Sequence, residues 1–146
     1  VKNVINMEIS ELPKDKKIIL FDGVCTLCNR SVHYVIKHDK KDVFRFVALQ
    51  SVLGQKILKH IGIADKNIDS IVLFQIGIVY YYKSTAIIEI TKSLQGFFNF
   101  GLLFRIFPTT IRDIVYDYIA KNRFNWFGKN ESCMIPTPEL KAKFLE

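Results

Sequence analysis

Cysteine, proline and glycine are scarce in this chain, and each scarcity excludes something. Three Cys in 146 residues are too few, and odd in number, for a secreted mini-protein stapled by disulfides. They favour a reducing, cytoplasmic setting, where clustered Cys are more often catalytic or metal-binding than structural. Seven Gly and four Pro exclude collagen-like and low-complexity chains. No apolar run reaches the roughly 20 residues of a membrane-spanning helix. The greasiest, residues 97–107, is interrupted by Asn99 and Arg105. Residues 1–13 carry Glu8 and Glu11 and no long apolar run, so no signal peptide is expected there.

What the chain does have is apolar mass. Hydrophobic residues make up 49% and charged residues 24%, which suits one domain with its own core and excludes intrinsic disorder. The net charge of +7 makes anionic partners conceivable, but the charge is spread. Lys14, Lys16 and Lys17 surround Asp15, and Lys37, Lys40 and Lys41 interleave with Asp39 and Asp42. These read as solvated surface, and no nucleic-acid partner is expected.

Residues 17–21, Lys-Ile-Ile-Leu-Phe, form a short continuous apolar run of the kind buried on both faces of a sheet. Residues 26–38 then place Leu27, Val32, Val35 and Ile36 at helical spacing. Residues 43–49 alternate as a second strand. Ser51 is the expected cap of a helix through Lys59, with Gly62 as its stop. After a linker at 64–69, residues 70–74 and 78–82 predict a hairpin around Gln75-Ile76-Gly77. Residues 85–94 predict a helix, 97–107 an apolar helical piece ended by Pro108, and 109–122 a last long helix capped at Thr109 or Thr110. The order is β-α-β followed by β-β-α. It predicts an α/β fold of thioredoxin-like topology: a central mixed four-stranded sheet flanked by helices, with extra C-terminal helices. The whole of 1–146 reads as a single domain, with 1–16 an N-terminal extension and 124–146 an irregular tail.

The chemical feature is Cys25-Thr26-Leu27-Cys28, placed between a buried strand and a helix. A Cys at a helix start meets unpaired backbone N–H groups and the positive end of the macrodipole, which favour a thiolate. The thiolate is the species that attacks a disulfide. One turn on, a second Cys lies within reach to close the disulfide. Cys25 is thus the expected nucleophile and Cys28 the resolving thiol. Asp22 is the candidate general base for the Cys28 proton, with capping of the helix or pairing with Arg30 as its alternative employments.

Rival readings are weaker. A structural zinc needs four ligands. Beyond the pair only Cys133, His33, His38 and His60 remain, without the spacing of a second ligand pair, so neither metal nor cofactor is expected, and a zinc-stabilised domain stands as an alternative. Arg30 comes one residue too soon for a phosphatase cradle built on Cys25, and Val24 stands where a dehalogenase-type phosphatase needs a second Asp. A non-catalytic protein-binding module, docking through 97–107 and the Trp126-Phe127 corner, is the other alternative.

The run from Phe21 to Asn29, Phe-Asp-Gly-Val-Cys-Thr-Leu-Cys-Asn, resembles the signature of the DCC family of predicted thiol-disulfide oxidoreductases. Arg45-Phe46-Val47-Ala48-Leu49-Gln50-Ser51 resembles that family's second strand and turn. Tyr116-Asp117 and the run from Asn122 to Lys129, followed by Cys133, resemble its C-terminal signature. The resemblance implies a thioredoxin-like fold and a redox role for Cys25 and Cys28, with a protein or small-molecule disulfide or thiol as substrate and an electron donor or acceptor as second partner. It does not imply which. Ordinary thioredoxins place a cis-proline before the third strand, presenting backbone to substrate. Here Asp69 falls at that place, and there is no Pro between Pro13 and Pro108. Asp69 and Ser70 are therefore candidate substrate-binding residues in another conformation, expected trans, or substrate docks differently. Arg123 and Trp126 are further candidates for lining the partner groove. Cys133 is either a third redox thiol or a buried Cys.

Overall fold

The structure, a computed structural model, describes residues 9–64, 68, 70–77, 79–94, 104–131 and 137–145. Its sheet runs in the order β2-β1-β3-β4. β1 (Lys17–Phe21) pairs parallel with β2 (Phe44–Ala48) and antiparallel with β3 (Val72–Gln75), which pairs antiparallel with β4 (Val79–Tyr82). With α1 (Thr26–His38), α2 (Val52–His60), α3 (Lys83–Ser93) and α4 (Thr109–Phe127), this is the β-α-β, β-β-α order expected, and the fold is α/β and thioredoxin-like.

Alternation along β1 splits the core into two layers. Ile18 and Leu20 face α2, packing with Val47, Val72, Leu53 and Ile57. Ile19 and Phe21 face the other way, packing with Phe46, Leu73, Val32, Val35 and Ile90. The α2 contact is close. A Cβ on Gly54 would overlap the Ala48 carbonyl oxygen, so only glycine lets the helix reach the backbone at the end of β2. Ser51 caps α2 by accepting the Gly54 N–H, as expected. Gly62 stops it: the Gly62 and Ile63 N–H groups return to the Lys59 and Leu58 carbonyls.

Two features differ from the expectation. The last helix does not end near Asn122 but runs through Phe127, so the irregular tail begins later than residue 124. Aromatic residues lie on it as helical side chains. Trp126 meets Tyr118 edge-on at 5.7 Å, and Arg123 and Lys129 both sit over the Phe124 ring. The stop is Gly128, whose φ of +83° is one that glycine adopts without strain. The tail also adds to the sheet's edge. Leu145 donates its N–H to the Phe46 carbonyl at 2.9 Å, and the Phe144 ring packs against Phe21 and Phe46. Of the apolar piece expected at 97–107, only residues 104–107 are described, and Phe104–Ile106 is a single 3-10 turn.

Candidate active site

Asp22 follows directly on β1, and the two cysteines open α1. Cys25 is the N-cap of this 13-residue helix, with extended backbone, and its Sγ accepts the Cys28 N–H at 3.3 Å. The sulfur does what a serine hydroxyl does in most helix caps. Asp22 is therefore not the cap.

Nor does Asp22 pair with Arg30. Its Oδ2 accepts from Arg123 Nη2 of α4 at 2.8 Å, and its Oδ1 accepts from Gln50 Nε2 at 2.7 Å and from the Val24 N–H at 3.1 Å. Both side chains of the ion pair are nearly inaccessible, at 6% and 4%. Each charge of a buried pair offsets the cost of burying the other.

The two sulfurs differ in access. Cys25 has no accessible surface. It lies under the chain that leaves α4: Lys129 forms an isolated β-bridge to Cys25, and the Asn130 N–H donates to the Val24 carbonyl at 2.8 Å. Cys28 is only partly buried and stands in the wall of a cavity of about 500 Å³. Burial pushes its thiol well above the ordinary thiol range. The Cys25 sulfur adds to this, Arg123 opposes it, and Asp22 adds a little more. Both cysteines are free thiols.

α4 builds one wall of that cavity from Tyr116, Ile119, Ala120 and Arg123, the i, i+3, i+4, i+7 stripe of a helix face. Tyr116 was missed as a site residue. Its hydroxyl accepts the Ile71 N–H at 3.0 Å, and burial raises it to about 12. The spacing of Tyr116 from Arg123 was the available signal.

The remaining candidates scatter. Arg123 is brought to Asp22 and the cavity wall. Ser70 is buried but lines a second cavity, which shares Tyr116 and Ala120 with the first. Trp126 is 53% exposed and is not among the residues described in the Cys28 cavity wall. Asp69 and Cys133 lie outside the described residues. No cis peptide bond occurs among the described residues. Among them, too, no cluster of His, Cys, Asp and Glu is placed to hold a metal ion, and no helix is long and apolar enough to cross a membrane.

Comparison with known proteins adds a family. Residues 19–129 match the model of the DCC1-like thiol-disulfide oxidoreductases. The chain is 45% identical over 129 residues to the uncharacterized protein YuxK of Bacillus subtilis, covering 88% of this chain and 93% of that protein. It is 40% identical over 122 residues to a chloroplastic DCC family protein of Arabidopsis thaliana, covering 82% of this chain and 70% of that one. No solved structure matches significantly.

Proposed function

The chain belongs to the DCC1-like thiol-disulfide oxidoreductase family, and on that premise we propose that Cys25 and Cys28 cycle between dithiol and disulfide, exchanging electrons with a thiol or disulfide substrate. The observation that carries the reading is a cysteine pair at a helix start with one sulfur in the wall of an open cavity.

Access supports an order of events opposite to the one expected from spacing. Cys28 is the sulfur that meets the substrate, and Cys25 is its covered partner. In the oxidised form a substrate thiolate attacks the Cys28 sulfur, the protein disulfide breaks, and Cys25 departs as thiolate. Its landing place is prepared: the Cys28 N–H already points at its sulfur at 3.3 Å, and the N-terminal end of α1 favours negative charge there. A stable leaving thiolate speeds exchange. Asp22 has its oxygens engaged by Arg123, Gln50 and Val24. Its role in this reading is to hold Arg123 beside the sulfurs and to receive the Cys28 proton only transiently.

Trapping tests the order. With Cys25→Ser, Cys28 should retain mixed disulfides with substrate, because nothing remains to displace it. With Cys28→Ser, the buried Cys25 should retain few. The reverse pattern restores Cys25 as the attacking sulfur, and trapping by neither variant removes the redox reading.

A second reading, a binding module, is favoured by the apolar face of α4, where Ile114 is 63% and Tyr118 61% exposed. Exposed apolar patches mark contact surfaces. The two readings part on one measurement: a module gives no Cys25–Cys28 disulfide in a graded thiol redox buffer.

A further inference from the structure

We infer that the substrate taken by this site is a small, uncharged, apolar disulfide, or the dithiol it becomes, and not a disulfide held in an extended polypeptide. The inference rests on the redox reading above and names the substrate class of the same site.

The cavity beside Cys28 carries the first half of the argument. Its volume of about 500 Å³ is that of a small-molecule site. Leu27, Val35, Ile87, Ile90 and Ile119 supply apolar wall from three helices. The buried ionic groups in that wall do not offer themselves to a charged ligand. Asp22 and Arg123 neutralise each other, and Arg30 stands exposed to solvent. A charged ligand would lose its hydration inside without recovering it.

The backbone carries the second half. A polypeptide substrate of an exchange protein is held by adding as a strand to free backbone groups beside the cysteines. The residue leading into β3 has none to give. The Ile71 N–H donates to the Tyr116 hydroxyl at 3.0 Å, and the Ile71 carbonyl accepts the Lys83 N–H at 3.2 Å. At Ile71 the Tyr116 hydroxyl of α4 has thus taken the N–H that strand addition there would use, while the Ile71 side chain lines the cavity.

The exchange balances on groups that the site holds. Cys28, giving its proton to Asp22 as it reacts, attacks one sulfur of the bound disulfide. That S–S bond breaks, and the ligand's second sulfur leaves as a thiolate, taking up the proton that Cys28 lost. Cys25 then attacks the Cys28 sulfur, the bond from Cys28 to the ligand breaks, and the ligand sulfur that leaves takes up the proton that Cys25 lost, so the ligand departs with both sulfurs reduced. The ligand gains two electrons and two protons, and the protein dithiol loses them and becomes the Cys25–Cys28 disulfide.

The test mixes the reduced full chain with three oxidants under single-turnover conditions: lipoamide, glutathione disulfide and a disulfide-closed peptide. Each rate is divided by the rate of the same oxidant with dithiothreitol, which removes intrinsic reactivity. The normalised rate for lipoamide should exceed the other two at least tenfold. Ile87→Lys and Ile119→Lys, at positions 43% and 40% exposed and so tolerant of a long polar chain, should each lower it at least fivefold with the circular dichroism spectrum intact. Equal or faster normalised reaction of the peptide or of glutathione disulfide, or two folded lysine variants with unchanged rates, overturns the substrate class. A titration in dithiothreitol redox buffer separates the two failures. If the Cys25–Cys28 disulfide forms there, the redox reading stands while the substrate class falls; if it never forms, both fall.

Discussion

On one face of the sheet Ile18, Leu20, Val47 and Val72 meet Leu53, Ile57 and Leu58 of α2 in a closed apolar layer. On the other face Ile19, Phe21, Phe46 and Leu73 meet α1 and α3, but there the packing gives way to the cavity and the buried ion pair. The closed face has a close backbone approach at Gly54. In the open face, α4 buries only Arg123. The contrast teaches how one sheet serves two ends. The closed layer fixes β1 against β2 and β3, and β1 delivers Asp22 and then Cys25 at a fixed place. The open layer is where a reacting group can sit, and its charge pair is tolerable because the other side is so well packed.

The contrast predicts where substitutions hurt. Asp22→Ala should have the largest effect, because it takes its carboxylate partner from the buried Arg123 guanidinium. Urea unfolding should register a loss of about 3–5 kcal/mol, and the double variant Asp22→Leu with Arg123→Met should recover most of it. A loss no larger than a surface pair would give means that the open face is not held by this pair.

Gly54→Ala comes next, at about 1–3 kcal/mol for forcing a methyl against backbone. It lies in the closed layer, so alkylation of Cys28 in the folded protein should keep its wild-type rate. A changed rate at Cys28 means that the two faces are not independent.

The smallest effect is on pH. The Cys28 thiol is raised in the folded chain, so the native state keeps a proton that the unfolded chain gives up. The stability this confers is complete below the ordinary thiol range near 8.5 and is lost as the pH rises beyond it. Reduced protein should lose about 1–2 kcal/mol between pH 8.5 and pH 10, and Cys28→Ser should lose markedly less. An identical slope in both proteins places the shift elsewhere.

Much of the fold could be read from local pattern. Residues 26–38, the Ser51 cap and the Gly62 stop fall where expected because helix periodicity and capping are local rules. The cysteine pair was equally plain. What escaped was set by distant chain. Asp22 finds Arg123, 101 positions away, and no local pattern around Asp22 distinguishes that partner from Arg30. Cys25 was the expected nucleophile because a helix start favours its thiolate, a local rule that is silent on access. Its cover, Lys129–Asn130, arrives from the other end of the chain after Gly128 turns it. The same remote turn explains the late end of α4, since Phe124 and Trp126 look irregular only until their ring partners are known.

One atom, the Cys25 sulfur, anchors the first turn of α1 and, in the proposed exchange, forms half of the exchangeable bond. Oxidising it ties the anchor to a covalent neighbour, so the electrons stored in the pair and the cohesion of the folded chain belong to one thermodynamic cycle. Whichever redox form melts at the higher denaturant concentration is the form toward which folding itself pulls the couple. A pair of unfolding curves, one with and one without a strong reductant, therefore weighs the protein's appetite for electrons without any substrate in the tube.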